Sequence, residues 1–339
     1  MEINDFSYRL SRFLGSYQPA ERGASPHTIS SYRDTFVLML AFARDEMGIC
    51  AEKLFLKDFD AGFVRDFLDW LEDNRGCTAS TRNVRLAAIK SFARYLQYVE
   101  PAYMSQWQLI LAIPAKKAAA HVPTYAKPDG IRLLLAQPDT STARGRRDLA
   151  LMTLMFACAA RVSEVTRLTP ASLRLDAPST ATIVGKGNKT RVSPLAPDEA
   201  RILASYMEEN GLLDSASMQR PLFFNRSGER LTSAGVSYIV RKYAAMAHGI
   251  DPTAMPENFT CHSIRHSKAM ALLEADVNIV YIRDLLGHSS VKTTEIYARV
   301  DGRRKREAIA AAYGSVLPTE DPVWTVDKGL LAWLKNFNK

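Results

Sequence analysis

The sequence predicts a mainly α-helical protein of two domains, the second of which contains a small antiparallel sheet. Three observations predict this architecture. The 339 residues exceed one typical domain. Apolar side chains in the first hundred residues recur only at helical spacing, whereas residues 181–195 contain a short β region around a glycine-containing turn. The proportions of hydrophobic residues (47%) and charged residues (24%) are typical of a soluble protein with a buried core.

The N-terminal domain is expected over residues 1–113 as a set of helices. Ser25 and Pro26 form a helix start, because an N-cap serine is followed by proline at the first helical position. A second helix is expected to follow Asp60, and a third is expected to begin near Thr78. Apolar side chains continue from each start on one helical face, which predicts a helical core.

Cations flank the third helix and the segment that follows the domain. Lys90 and Arg94 lie four residues apart beside the apolar face of that helix, and they fit either a DNA-contacting surface or a solvated face. Residues 114–127 are predicted to be the linker, because two prolines interrupt any helix there. Lys116 and Lys117 suit a linker that lies along DNA.

The second domain is expected over residues 128–317, with a tail over residues 318–339. Its helices are predicted near residues 128–136, 141–159, 197–210, 231–247, 261–275, 278–286 and 291–299. Gly187 and Asn188 tolerate the backbone angles of a tight hairpin between the two predicted strands. Gly287 is expected to end one of these helices, and Ser290 is expected to cap the next.

Basic residues are concentrated after residue 115. Residues 1–115 hold 13 Lys and Arg against 14 Asp and Glu, for a net charge of −1. The remainder holds 31 against 22, for a net charge of +9. This distribution is expected if the second part follows a phosphate backbone. The run Arg303 to Arg306 fits either a DNA contact or a solvated face.

The sequence argues against a membrane or secreted protein. The longest apolar run, residues 149–160, is too short to span a bilayer. The first residues lack the basic and apolar regions of a signal peptide. Four scattered cysteines form no CxxC pair and are expected to be reduced. A cytoplasmic protein is therefore expected.

Polar residues of the second domain are candidates for chemistry, although none is diagnostic alone. An arginine followed at i+3 by a glutamate is often only an ion pair, a lysine in a turn is often only solvated, and an isolated tyrosine is usually structural. The candidates are Arg161, Glu164, Lys186, His262, Arg265, His266, His288 and Tyr297.

Three of these side chains and one neighbouring cysteine are also candidate zinc ligands. Cys261, His262, His266 and His288 supply possible ligands, and the spacing of His262 and His266 suits a metal on a helix. Cys261 and His262 are adjacent, however, and point about 100° apart on a helix. Neither HExxH nor CxxC is present. No metal site is predicted.

Taken in order, these residues resemble the tyrosine recombinase (phage integrase) family, particularly its Xer-like members. The matching segments are "GRRDLALMTLMFACAARVSEVTRL", "VGKGNKTRVSPL" and "CHSIRHSKAMALLEADVNIVYIRDLLGHSSVKTTEIYARV". The nine-residue step from His288 to Tyr297 also fits the family pattern. The resemblance implies a SAM-like core-binding fold for the N-terminal helices and a mixed α/β catalytic domain for the remainder.

The resemblance implies a metal-free way of stabilising charge on a phosphodiester. Arg161 and Arg265 are expected to bind the nonbridging oxygens, because guanidinium forks bind phosphate bidentately. His288 is expected to donate a further hydrogen bond. Glu164 and His266 are expected to lie behind these groups and to orient them.

The resemblance also implies a covalent intermediate. Tyr297 is expected to attack the phosphorus, with His262 as the acceptor of the phenolic proton. Lys186 is expected to protonate the departing 5′ oxygen, although Lys189 on the same hairpin is an alternative for this role. Lys189 and Arg191 are otherwise expected to contact DNA.

The expected partner is double-stranded DNA with inverted-repeat core sites, bound by a homo-tetramer with a related recombinase as a further possible subunit. No metal, ATP or other cofactor and no membrane is expected, and the protein is expected at the nucleoid. The apolar segment Gly329 to Leu334 is expected to dock on a neighbouring protomer, with folding back on its own domain as the alternative. Cleavage in cis or in trans, and integration, resolution or transposition, remain open. The alternative functions are a catalytically silent DNA-binding protein of this fold and a type IB topoisomerase.

Overall fold

The structure, a computed structural model, describes residues 5–118, 123–288, 294, 297 and 334–337. The chain divides into two compact units, Met1–His121 and Val122–Lys339. The division falls inside the segment 114–127 that the sequence predicts to be the linker. The predicted helix at 291–299, its cap at Ser290, the basic run at 303–306 and most of the tail lie outside the described residues.

The N-terminal unit is helical, as predicted. Its α-helices are Asp5–Arg12 (α1), Pro26–Met47 (α2), Ala61–Asp73 (α3), Ala79–Val99 (α4) and Met104–Ala112 (α5), and a π-helical turn spans Phe13–Glu21. The three helix starts predicted from sequence are confirmed. The side chains of Ser25, Asp60 and Thr78 each accept a hydrogen bond from a backbone N–H three residues ahead.

Aromatic rings form much of the core of this unit. Phe92 of α4 lies at the centre, with ring centroids 5.1 to 5.7 Å from those of Phe6, Phe13, Phe36 and Phe59. All five rings are buried. Burying one phenylalanine side chain stabilises a fold by about 1.5–3 kcal/mol. The cluster therefore contributes to holding α1, α2 and α4 together within a core that also includes α3 and α5.

The first residues of the predicted linker pack on the N-terminal unit. The Asn83 side-chain amide donates to the Lys116 carbonyl over 2.7 Å, and its oxygen accepts from the Lys116 N–H over 3.0 Å. The Lys116 ammonium pairs with Glu72 at 2.5 Å and its side chain is half exposed. Lys116 is thus held by protein contacts, whereas Lys117 is exposed.

The second unit surrounds the long buried helix Ala143–Ala157 (α7). The other α-helices described in this unit are Pro128–Leu135 (α6), Val162–Val165 (α8), Pro197–Glu209 (α9), Ser233–Ile250 (α10), Cys261–Glu274 (α11) and Ile279–Leu286 (α12). The apolar faces of α6, α8, α9, α10 and the start of α11 meet in one core that includes nearly the whole length of α7, whereas α12 and the second half of α11 form a smaller cluster with Tyr297. The helices begin and end within about three residues of the predicted positions.

A small antiparallel sheet follows α8. Its strands, Leu173–Arg174 (β1), Thr180–Val184 (β2) and Thr190–Pro194 (β3), pair in the order β1-β2-β3. The β2–β3 hairpin pairs Val184 with Thr190, and Gly187 and Asn188 at its tip have φ of +73° and +57°. These angles favour glycine and asparagine, which confirms the predicted turn. Within the described ranges, no helix is long and apolar enough to cross a membrane.

Candidate active site

The structure brings together four separate segments of the second unit. Arg161 precedes α8, His262, Arg265 and His266 lie on α11, His288 follows α12, and Tyr297 packs beside α11. Lys186 lies in the β2–β3 turn, where the structure describes its backbone but not its side chain. The candidate residues whose side chains are described, although far apart in sequence, therefore lie in one site.

Glu164 binds two arginines at this site. Its carboxylate accepts from the Arg161 backbone N–H over 2.9 Å and from Arg161 Nη1 over 2.7 Å. It also accepts from Arg191 Nη1 over 3.2 Å and from Arg191 Nη2 over 2.7 Å. Burial alone would raise the pKa of Glu164, but the bonds from Arg191 and Arg161 outweigh it and hold the pKa below its ordinary value. Arg161 is therefore held at its backbone N–H and at Nη1, and a third of its side chain is still exposed.

Arg191, which the sequence predicts to contact DNA, is paired within the protein in the structure described. Only 10% of the Arg191 side chain is exposed, and both its terminal nitrogens bind Glu164. The reason is the strand alternation of β3, which turns this side chain inward toward α8. Lys189 on the same hairpin is exposed.

Arg265 is held in a fixed orientation by the backbone. Its side chain is 1% exposed, Nη1 donates to the Ala159 carbonyl over 2.7 Å, and Nη2 donates to the Leu286 carbonyl. Ala159 has φ of +46°, an uncommon angle for a residue with a Cβ, just before Arg161. Burial and the nearby Arg161 lower the pKa of Arg265 to about 10, so it remains a cation at neutral pH.

The hydroxyl of Tyr297 binds His266, not His262. The distance from His266 Nδ1 to Tyr297 Oη is 2.7 Å. Among the described residues, His262 makes no hydrogen bond to Tyr297; its ring instead meets the His266 ring edge-on, with centroids 4.3 Å apart. Tyr297 packs against Ala269, Met270 and Leu273 in the second half of α11, so the histidine one turn further along reaches it. The contact with the phenol that the sequence leads us to expect of His262 is thus made by His266 in the described structure, and the role of His262 as proton acceptor stays a prediction.

Tyr297 is buried and protonated in this structure. Its side chain is 2% exposed, and burial raises its pKa to about 12 although Arg265 and Arg161 oppose this shift. A tyrosine in this state is a poor nucleophile. It becomes reactive only if a base takes the proton or if further positive charge favours the phenolate.

His288 lies beyond the end of α12 in a neutral state. Gly287 ends α12 with φ of +59°, as predicted, and His288 Nδ1 lies 3.0 Å from Thr294 Oγ1. Burial lowers the pKa of His288 to about 4, and Arg265 and Arg161 contribute to the shift. When the Thr294 hydroxyl donates to Nδ1, the ring proton resides on Nε2, where it can be donated to a ligand.

The side chain of Cys261 does not join the histidines. Its Sγ contacts Ser237 Oγ on α10 at 3.8 Å, and burial raises the pKa of the thiol. Helix geometry separates the adjacent side chains of Cys261 and His262, as the sequence argument expects. Across the described ranges, no group of three or more His, Cys, Asp or Glu side chains is arranged to hold a metal ion.

The cations predicted to contact DNA from the first domain lie on α4. Lys90 is half-buried, and burial together with Arg94 lowers its pKa. Arg94 is exposed. Their exposure is compatible with either of the two roles that the sequence leaves open.

The fold and the arrangement of these residues define a DNA strand-exchange enzyme of the tyrosine recombinase class. The chain belongs to the phage integrase family, whose profile matches residues 125–304. A second profile, the N-terminal SAM-like domain of phage integrases, matches residues 11–98. The fold class predicted from the sequence is thereby confirmed.

The chain is similar over most of its length to other bacterial proteins of this family. It is 36% identical over 316 residues to a Sinorhizobium fredii protein provisionally named integrase/recombinase y4rC, a match that covers 93% of each chain. It is 31% identical over 288 residues to the tyrosine recombinase XerD of Lacticaseibacillus casei, covering 85% of this chain and 92% of that one.

Solved structures share the fold at lower sequence identity. XerH recombinase bound to a palindromic difH substrate after cleavage matches with a TM-score of 0.66 at 22% identity, over 85% of this chain and 81% of that chain. The Tn1549 transposon integrase in complex with transposon right end DNA matches with a TM-score of 0.66 at 14% identity, over 89% and 99%. At these identities the likeness establishes the fold.

Proposed function

We propose that the protein is a site-specific DNA recombinase that cuts and rejoins strands through a 3′-phosphotyrosine at Tyr297. The observation that carries the proposal is the contact of the Tyr297 hydroxyl with His266 at 2.7 Å, beside the buried cation Arg265. This contact supports a scheme in which Tyr297 is the nucleophile, His266 the base and Arg265 a phosphate-binding cation.

In the first step the Tyr297 oxygen forms a bond to phosphorus and the bond from phosphorus to the 5′ oxygen breaks. The phenolic proton passes to His266 Nδ1, which already lies within hydrogen-bonding distance. Arg161, whose side chain is partly exposed, would bind the phosphate together with Arg265, and the neutral His288 would donate from Nε2. His262, next to His266 on α11, would contact the same phosphate.

The departing 5′ oxygen takes a proton from a lysine of the β2–β3 turn. Lys186 is our choice for this acid, with Lys189 as the alternative, because both lie at the tip of the hairpin. A 5′ hydroxyl from the partner duplex then attacks the phosphotyrosine, and the same groups act in reverse. The bond energy is conserved in the covalent intermediate, so the scheme requires neither ATP nor a metal ion.

The DNA is expected to be a duplex with inverted-repeat core sites. XerH and the Tn1549 integrase, which share this fold, were solved with DNA. The net charge of +9 after residue 115 supports a binding surface on the second unit. Lys90 and Arg94 on α4, and Lys117 and Lys189, are proposed as backbone contacts. A homo-tetramer on two duplexes, with or without a related recombinase, and residence at the nucleoid belong to the same proposal.

The proposal is tested with end-labelled duplexes that tile the genomic neighbourhood of the gene. We expect an SDS-stable protein–DNA adduct in excess EDTA, with the protein on the 3′ side of the cleaved bond. We also expect two copies of the reactive duplex to exchange strands. Binding without an adduct on any duplex would instead indicate a silent DNA-binding protein. Relaxation of supercoiled DNA that lacks the reactive site would indicate a topoisomerase.

Substitution of His266 is expected to change the pH dependence of cleavage. Because the pKa of Tyr297 is raised to about 12, its phenolate is scarce near pH 7 and becomes more abundant as the pH rises. His266→Phe should therefore slow adduct formation at pH 7 by about 100-fold. The variant should regain part of that rate toward pH 9, whereas the wild type should vary less. Single-turnover rates between pH 6 and pH 9 measure this.

His262→Phe serves as the comparison for the role of His266. It removes the neighbouring ring without removing the bond to Tyr297. If His262 were the proton acceptor, its variant rather than the His266 variant would show the steeper pH profile. That result would restore the assignment made from sequence.

Removal of the tail is expected to separate DNA binding from assembly. Leu334 and Phe337 are exposed at 54% and 62%, which is unfavourable for large apolar side chains unless a partner covers them. A chain ending at residue 317 should bind a single duplex within about threefold of the wild-type affinity but form less of the paired complex. Gel shifts and light scattering on DNA measure the two steps. Unchanged pairing and recombination by the shortened chain would contradict an exchange of tails.

A further inference from the structure

Arg191 contacts three of the segments that form the site. It binds Glu164, within α8, through both terminal nitrogens. It also packs on Gly185, at the start of the hairpin turn, and on Gly287, at the end of α12. An added Cβ would lie 3.5 Å from Arg191 Nη1 at Gly185 and 3.3 Å from it at Gly287. A single side chain thus joins the segments that carry Arg161, Lys186 and His288.

We propose that Arg191 is a positioning residue that holds the β2–β3 hairpin and the end of α12 against the Arg161–Glu164 pair. The proposal rests on the proposed recombinase function. Both terminal nitrogens of Arg191 bind the Glu164 carboxylate, so its charge is already paired within the protein. Arg191 acts indirectly, because it holds the backbone segments that carry Arg161, Lys186 and His288.

The pattern of bonds explains why an arginine is needed at this position. Arg161 and Arg191 each reach both oxygens of Glu164, so the carboxylate accepts four hydrogen bonds. A lysine has one nitrogen and cannot bridge both oxygens in the plane of the carboxylate. A lysine also lacks the flat guanidinium that packs on Gly287 while Arg191 binds Glu164. The charge of Arg191 is therefore insufficient without its shape.

Gly185 and Gly287 allow Arg191 and Glu164 to approach the backbone closely. Gly287 has φ of +59°, and a side chain there would be strained as well as crowded against Arg191. Gly185 lets the hairpin approach Glu164, because an added Cβ would lie 3.2 Å from Glu164 Oε1. The hairpin, α8 and α12 meet closely at Arg191 because neither glycine has a side chain.

The test compares Arg191→Met and Arg191→Lys with the wild type on the duplex that gives the wild-type adduct. At saturating DNA we expect the rate of adduct formation to fall about 10- to 100-fold in both variants. The dissociation constant for the same duplex should change less than threefold. The slope of log affinity against log salt concentration should stay the same. Arg201→Met is the matched control, since Arg201 is an exposed arginine of the same unit paired only with Asp198 in the described structure. It should retain the wild-type rate.

The outcomes separate this proposal from its rivals. If Arg191 contacts DNA, the affinity and the salt slope fall, by about one unit of slope, and the rate at saturation is retained. If Arg191 only stabilises the fold, the loss of activity equals the loss of folded protein measured by thermal unfolding. The molecules that remain folded then cleave DNA at the wild-type rate. Either result overturns the proposal. Absence of a wild-type adduct on every duplex overturns the recombinase function itself, and this proposal with it.

Hydrogen exchange provides a measurement that needs no DNA. In Arg191→Met we expect faster exchange of the backbone amides in residues 184–190, with residues 200–210 of α9 unchanged. Equal protection of the hairpin in variant and wild type would show that Arg191 does not hold it. Arg201→Met should exchange like the wild type in residues 184–190.

Discussion

Tyr297→Phe is expected to abolish the covalent adduct, with a loss of at least about 10⁴-fold in its rate of formation. The substitution removes one oxygen, which is the nucleophile and the partner of His266 at 2.7 Å. The ring continues to fill its place against Ala269, Met270 and Leu273. Affinity for DNA and the melting temperature should therefore stay close to those of the wild type. SDS gels of labelled duplex, together with gel shifts, measure both properties.

Tyr206→Phe is the matched control for this experiment. Tyr206 is also buried in the second unit, and its hydroxyl donates to the Leu222 carbonyl over 2.9 Å, far from the site in sequence. Loss of that bond costs about 1–3 kcal/mol of stability and no chemistry, so the adduct should persist. An adduct that forms with Tyr297→Phe would show that another residue is the nucleophile, and the proposed mechanism would then be wrong.

Arg265→Met is expected to slow cleavage by about 10³-fold or more while changing the free energy of unfolding by no more than about 2 kcal/mol. The guanidinium is 1% exposed, and its pKa is lowered to about 10 chiefly because burial disfavours the charged form. Methionine removes that cost, which offsets the loss of bonds to the carbonyls of Ala159 and Leu286. Stability and activity should thus separate.

Urea unfolding and single-turnover cleavage measure the two effects in parallel. Arg265→Lys is the informative companion, because it retains a cation but cannot reach both carbonyls and a phosphate with a planar fork. It should remain at least about 100-fold slower than the wild type. A variant that is inactive only because it is unfolded would show a collapsed urea midpoint. That result would assign Arg265 to the fold rather than to the chemistry.

The local features of the fold were predictable because their causes lie close together in sequence. A cap such as Ser25 with Pro26, or a turn such as Gly187-Asn188, depends on backbone groups within three or four residues. The family motifs likewise identify which residues meet in the site. The order of the motifs along the chain is enough to identify these residues, even when the packing of the helices is unknown.

The contacts between motifs were not predictable in the same way. The sequence led us to expect His262 beside the Tyr297 hydroxyl, whereas the packing of Tyr297 on the second half of α11 brings that hydroxyl to His266. The sequence also led us to expect that Arg191 contacts DNA. Its burial depends on Glu164, 27 residues away, and on two glycines in different segments. A close approach of that kind leaves no signal in local spacing.

The burial of Tyr297 has a consequence for the cell that carries this enzyme. A phenol that is 2% exposed and protonated at neutral pH is out of reach of most phosphodiesters that the protein meets while it scans a chromosome. It is equally sheltered from reagents that nitrate or iodinate tyrosine. For the proposed nucleophile, the resting packing of the unbound protein therefore limits contact with phosphodiesters that are not seated in the site.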